Sequence, residues 1–66
     1  MSYIEVEKDG VAYAAEYFVS DNQVSVVGDG VVEDIFMNGM KEINAARTGL
    51  RNLIWQGKAF TKDEVL

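Results

Sequence analysis

The chain has 66 residues, a mass of 7.3 kDa and a formal net charge of −5, and 48% of its residues are apolar. This length allows one domain, and the composition is that of a globular protein rather than a disordered acidic tail. The absence of cysteine and histidine excludes disulfide scaffolds, zinc sites built from those residues, and catalysis by a thiol or an imidazole.

The sequence carries no sign of a membrane or secretory segment. No apolar run approaches the ~18 residues that a transmembrane helix needs. The N-terminal residues lack the basic and apolar regions of a signal peptide. We therefore expect a cytoplasmic protein without a membrane partner.

Charge is unevenly distributed along the chain. Residues 1–37 carry eight carboxylates and one lysine, whereas residues 38–66 carry five basic and three acidic side chains. Such an asymmetry bears on association more than on fold. A chain of this size without disulfides has a small core, so self-association as a homodimer is a reasonable expectation.

The first 28 residues have the pattern of two consecutive β-hairpins. Asp9-Gly10 is a strong signal for a two-residue turn, because both central positions of such a turn need positive φ. Asp21-Asn22 is a weaker signal of the same kind. The alternating side chains around these turns predict strands over residues 2–8, 11–20 and 23–28.

The two predicted turns set registers that agree about which side chains share a face. The face predicted to form the core carries Ile4, Val6, Tyr13, Ala15, Tyr17, Val19, Val24 and Val26. The face predicted to be open carries Tyr3, Glu5, Glu7, Ala12, Ala14, Glu16, Phe18, Ser25 and Val27. Since a one-residue slip would exchange the two faces, the agreement supports both registers.

Gly28-Asp29-Gly30 predicts a third turn, and the residues after it allow two interpretations. Residues 31–37 are rich in β-branched side chains and end at the breaker pair Asn38-Gly39, which favours a fourth strand. The alternative is an early helix, because apolar side chains also recur at helical spacing. These side chains belong to Val32, Phe36, Met40 and Ile43.

Residues 40–56 have the periodicity of an amphipathic helix. Asn38 or Gly39 is predicted to be its N-cap, and Gly57 is predicted to end it in the left-handed conformation. Gly49 lies inside the helix at a cost of about 1 kcal/mol relative to alanine, which suggests that another backbone approaches closely there. The predicted apolar stripe consists of Ile43, Ala46, Leu50, Leu53 and Ile54.

The rest of the chain, residues 58–66, is predicted to be an extended or frayed end with Phe60 against the sheet. Thr61-Lys62-Asp63-Glu64 has the form of a capping box. The complete prediction is one α+β domain over residues 1–66. It is an antiparallel meander of three to four strands with one amphipathic helix packed on one face, in the order ββββα or βββα.

No constellation in the sequence predicts catalysis, so we expect a protein that is not an enzyme. The serines have no histidine to activate them, and no glycine-rich phosphate loop is present. Asp29, Glu33 and Asp34 could offer oxygen ligands to a hard cation, but the spacing of a calcium loop is absent. We therefore expect no cofactor and no bound metal.

The predicted open face is the best candidate for a functional site. Tyr3 and Phe18 would supply apolar anchors, and Glu5, Glu7 and Glu16 would steer a basic or amphipathic partner toward them. This pattern predicts a non-enzymatic protein–protein interaction module that binds a protein partner or a second copy. An ordinary exposed sheet face, or a face covered by the C-terminal segment, would give the same pattern.

The polar face of the predicted helix offers an alternative function. Asn44, Arg47, Thr48 and Arg51 are residue types that contact phosphates and bases. Nucleic acid is the less favoured partner, because the acidic sheet would repel phosphates. Compact, acidic chains without cysteine are frequent among accessory proteins of phages and mobile elements, and the composition is compatible with such an origin.

Overall fold

The computed structural model of the protein describes residues 1–66 and contains five strands and two helices. They are β1 Ser2–Lys8, β2 Val11–Ser20, β3 Gln23–Val27, β4 Val32–Phe36, α1 Glu42–Trp55, β5 Phe60–Thr61 and α2 Lys62–Val65. Strands β1 to β4 form an antiparallel meander in chain order, and β5 pairs with β2. Helix α1 packs across one side of the sheet, which we call the inner face; the opposite side is the outer face. The predicted α+β architecture is confirmed.

Both predicted hairpin registers are confirmed. Lys8 lies opposite Val11 in the first hairpin, and Val19 lies opposite Val24 in the second. The first turn has positive φ at both central residues, as a type I′ turn requires. In the second turn only the first central residue, Asp21, has positive φ, which is the pattern of a type II′ turn. The weaker turn signal therefore gives a different turn and the same register.

The segment after the third turn is a strand, so the alternative of an early helix is wrong. Strand β4 pairs with β3 along its whole length, with Ile35 opposite Val24. Its side chains alternate between the two faces, and Ile35 joins the core while Phe36 points outward. Pairing with β3 satisfies the backbone hydrogen-bonding groups of this segment. The helical spacing of its apolar residues gives no information about that pairing.

The core lies between the inner face and α1. Its buried members are Ile4, Ala15, Val24, Val26, Ala45, Ala46, Leu50 and Leu53. The remaining residues predicted for the core face are half-buried around this cluster, with one exception. Val19 is 41% exposed, because it lies at the exposed end of the hairpin that joins β2 to β3.

The predicted apolar stripe of α1 is correct at its centre and wrong at its first residue. Ile43 is 42% exposed, whereas Ala45 and Gly49 are buried. A Cβ atom at Gly49 would lie 2.5 Å from Cγ2 of Val26, so the helix backbone comes this close to β3 only because the residue is glycine. Small residues therefore decide which side of α1 faces the sheet.

The two ends of α1 differ in how well the sequence predicted them. The predicted N-cap at Asn38 or Gly39 is wrong, because both residues have positive φ and belong to a separate turn. The helix begins at Glu42, and its N-cap, Lys41, makes no capping hydrogen bond through its side chain. The predicted stop at Gly57 is confirmed by its φ of 71°.

A Schellman motif closes the C-terminus of α1. The Gly57 N–H donates to the Ile54 carbonyl at 3.1 Å, and the Lys58 N–H donates to the Leu53 carbonyl at 2.8 Å. The chain then reverses and runs back to the sheet as β5, where Phe60 lies opposite Ala14. Residues 58–66 are thus more ordered than predicted, since they contain both a short strand and the helix α2. Neither helix of the protein is long and apolar enough to cross a membrane.

Candidate protein-interaction surfaces

The C-terminal segment covers the centre of the outer face. Ala14 lies on this face, yet it is fully buried, because β5 pairs beside it and α2 packs against β2. The face that the sequence predicted to be open is therefore covered at its centre. Along the border of this cover, Tyr3 of β1, Glu16 of β2 and Val27 of β3 line one shallow groove with residues of the C-terminal segment.

The residues predicted to bind a partner lie on the neighbouring strands β1 and β2. Tyr3 lies opposite Glu16, so these two side chains form a cross-strand pair. Glu5 lies beside the C-terminal segment, and its Oε2 atom is 3.4 Å from Nζ of Lys62. Glu7 is exposed near the end of β1. Phe18 lies just past the first residue of β1, opposite Ser25 of β3, and is 55% exposed. The structure thus pairs Tyr3 with Glu16 and places Phe18 just outside the paired length of the first hairpin.

Phe18 belongs to a different group of side chains, which we call the outer apolar patch: Phe18, Val27, Val32 and Phe36. The registers place all of them on the outer face of three adjoining strands. Val32 is 56% exposed and Phe36 is 63% exposed. Sequence reasoning missed both residues, because residues 31–37 could be strand or helix. Extending the alternation of the first three strands into β4 would have found them.

The outer apolar patch is interrupted by a polar row and carries only negative charge. Ser25 donates a hydrogen bond of 2.7 Å to Oδ1 of Asp34, and Gln23 donates one of 3.4 Å to the Ser25 hydroxyl. Glu16 and Asp34 are the ionisable side chains on this part of the face, and no basic residue of β2, β3 or β4 accompanies them. The surface can therefore hold apolar side chains beside cationic groups.

The residues predicted for nucleic-acid binding lie on the exposed or half-buried side of α1, but most of their polar groups bind one another. Arg47 donates to the Asn44 side chain at 3.2 Å, and the Thr48 hydroxyl donates to the Asn44 backbone carbonyl at 3.0 Å. Arg51 alone of the four makes no hydrogen bond or ion pair within the protein. Arg47 and Arg51 both lack a carboxylate partner, so this face carries two cations one helical turn apart.

The acidic residues considered as cation ligands do not converge. Glu33 faces α1 and accepts hydrogen bonds from Asn52 at 3.4 Å and from Gln56 at 3.1 Å. Asp34 points to the outer face and binds Ser25. No group of three acidic side chains in the protein is arranged to hold a metal ion. Glu33 instead ties the last turn of α1 to β4.

Glu64 fixes the segment that covers the outer face. Its Oε1 atom accepts hydrogen bonds from the backbone N–H and from the hydroxyl of Thr61, each 2.9 Å long, so the predicted capping box is present. These two bonds hold the pKa of the Glu64 carboxyl below its ordinary value.

Acid should therefore weaken the capping box. A carboxyl whose pKa is lowered by folding favours the folded form above its unfolded pKa, and that contribution is lost as the pH falls through the lowered value. We expect the amide chemical shift of Thr61 to titrate with a midpoint below the value of about 4.3 for a free glutamate. The matched variants are Glu64→Gln, which should abolish this titration, and Asp63→Asn, which should leave it in place. A wild-type midpoint at the free value would contradict the assignment.

Comparison with protein-family models, with curated proteins and with solved structures finds no match to this chain, so its function has to be inferred from these surfaces.

Proposed function

We propose that this protein is a non-enzymatic interaction module whose outer apolar patch binds a basic, amphipathic segment of a partner protein. One observation carries the proposal. Phe18, Val32 and Phe36 are each more than half exposed on the same face of the sheet, on the two strands that flank β3. Large apolar side chains exposed together on one face are typical of interaction sites, and aromatic side chains are the usual anchors within them.

The charges around the patch favour a basic partner. Glu16 and Asp34 would attract cationic groups and speed their approach, while the apolar side chains would hold the complex once it forms. Glu5 and Glu7 extend the negative field across β1. The part of Tyr3, Glu5 and Glu7 in binding stays a prediction.

Self-association through β4 is less favourable than binding of a different partner. Strand β4 is the outermost strand of the sheet at this end, and two copies could pair there. An antiparallel pair centred on Asp34 would bring the two Asp34 carboxylates face to face, which is destabilising. A contact between the acidic sheet of one copy and the basic helix of another would be heterologous and would tend to continue into polymers.

Removal of the aromatic anchors should abolish binding without unfolding the protein. The probe is a helical peptide with leucine on one face and lysine on the other, titrated into ¹⁵N-labelled protein. We expect shift changes centred on the outer apolar patch, and we expect Phe18→Ser with Phe36→Ser to weaken binding by about tenfold or more. Both side chains are exposed, so the circular dichroism spectrum should not change.

The matched control replaces exposed apolar residues outside the patch, with Val11→Ser and Met40→Ser in one chain. Both are 40% exposed. Equal loss of affinity in the control and in the double phenylalanine variant would contradict the proposal.

The light-scattering mass after gel filtration, with and without a mixed-sequence DNA duplex, tests the alternative of nucleic-acid binding through α1. A protein–DNA complex that dissociates as the salt concentration rises would favour binding through the helix face rather than through the sheet.

A further inference from the structure

A second surface lies on the other side of the molecule, between the edge of the sheet and the helix. It is a groove of about 410 Å³. Strand β1 and helix α1 each contribute three of the residues that line it, which are Val6, Glu7, Lys8, Arg51, Ile54 and Trp55. Trp55 is 82% exposed, and Nζ of Lys8 lies 5.0 Å from the centroid of its ring. A tryptophan so exposed has apolar surface available for a ligand.

One wall of this groove is an unpaired strand edge. Strand β1 pairs only with β2, so its other edge presents backbone N–H and C=O groups that have no partner in the sheet. A free strand edge beside a helix is a geometry that accepts an extended peptide as an additional strand. The backbone would then supply affinity, and the side chains in the groove would supply specificity.

The side chains along β1 define what such a peptide must carry. Val6 and Lys8 are two residues apart and both face the helix side, where they meet Ile54, Arg51 and Trp55. An added strand would therefore need an apolar side chain beside Val6 and an acidic one, two residues away, beside Lys8. Neither Lys8 nor Arg51 has an ion-pair partner in the protein, so both cations are available.

The opposite side of β1 sets a second requirement. Glu5 and Glu7 point to the outer face, and Glu7 has no cationic partner of its own. The residues of the added strand that lie next to these carboxylates should be basic. A second copy of β1 does not meet this requirement, because antiparallel pairing centred on Val6 would set Glu5 of each chain against Glu7 of the other.

We propose that the groove between β1 and α1 binds an extended peptide of alternating character. One face of the bound strand carries an apolar and an acidic side chain two residues apart, and the other face carries basic side chains. A single-stranded nucleic acid could also stack on Trp55, but the unpaired backbone edge, the carboxylate of Glu7 and the net charge of −5 all favour the peptide.

The test compares peptides of equal composition. In the in-phase peptides leucine and glutamate lie on the same face of the extended strand, and in the out-of-phase peptide they do not. Trp55 is the single tryptophan, so its fluorescence reports binding at the groove directly. The in-phase probes are Thr-Lys-Leu-Lys-Glu-Lys-Thr and Thr-Lys-Glu-Lys-Leu-Lys-Thr, one for each strand direction, with blocked termini. The out-of-phase probe, Thr-Lys-Lys-Leu-Glu-Lys-Thr, places leucine and glutamate on opposite faces of the strand.

We expect one in-phase peptide to bind at least about tenfold more tightly than the out-of-phase peptide. Lys8→Gln combined with Arg51→Gln should remove most of that difference, whereas Arg47→Gln, on the same helix and outside the groove, should keep it. Equal binding of all three peptides would overturn the proposal, and so would tighter binding of a mixed-sequence single-stranded oligonucleotide. The variant that carries both Phe18→Ser and Phe36→Ser should bind these peptides like the wild type. One proposal can therefore be contradicted without contradicting the other.

Discussion

Leu50→Ala is expected to remove much of the free energy of unfolding of the protein. Leu50 is completely buried in the middle of α1, where it packs against the inner face of the sheet. Truncation of a buried leucine to alanine costs about 2–5 kcal/mol, because apolar contacts are lost and a cavity remains. A domain of this length has a free energy of unfolding of only about 3–10 kcal/mol, so a loss of that size removes much of it.

Urea denaturation followed by far-ultraviolet circular dichroism measures this loss. Ile43→Ala is the matched control, since it removes an apolar side chain from the same helix at a position that is 42% exposed. We expect the control to change the free energy of unfolding by less than about 1 kcal/mol. Equal urea midpoints for the two variants would show that α1 does not pack on the sheet through Leu50.

Gly49→Ala is expected to destabilise the protein although alanine is the better helix former. The added Cβ atom would meet Cγ2 of Val26 at 2.5 Å and the Cβ atom of Val26 at 3.1 Å. Val26 is fully buried and β-branched, so it has little freedom to move away. Overpacking of this kind costs about 1–3 kcal/mol, which outweighs the gain of about 1 kcal/mol in helix propensity.

The neighbouring variant Thr48→Ala distinguishes the effect of packing against the sheet from the effect of helix propensity. Thr48 lies next to Gly49 on α1 and is half-buried, and its hydroxyl binds only the Asn44 carbonyl within the same helix. We expect a urea midpoint equal to or slightly above that of the wild type, because alanine favours the helix and the hydrogen bond that is lost lies within the same helix. A midpoint for Gly49→Ala above the wild-type value would mean that α1 stands farther from β3 than described.

The meander was predictable because its signals are local. Asp9-Gly10 fixes a turn type, and that turn fixes the register of every pair in the first hairpin. Gly57 likewise ends α1 through its own backbone conformation. The start of α1 was not predictable in this way, since Lys41 makes no side-chain cap and Asn38-Gly39, the apparent signal, forms a turn.

The surfaces depend on contacts between distant parts of the chain, and the sequence predicted them less well. The burial of Ala14 follows from Phe60, which lies 46 residues farther along and is brought beside it by the reversal after α1. The outer apolar patch requires β4 to be a strand before Phe36 can be placed on a face. The groove requires β1 and α1 to meet before Lys8 can lie over Trp55.

The pairing of β5 with β2 also has a kinetic consequence. The hairpins of the meander join residues close in sequence, whereas Tyr13 and Thr61 pair across almost the whole chain. Closing that loop costs the most chain entropy and gains only a two-residue strand and one short helix, so we expect it to form last and to open first. In that transient species Ala14 and the rest of the centre of the outer face would be exposed. A partner that captures it would bind at a rate set by the opening of the C-terminal segment rather than by diffusion.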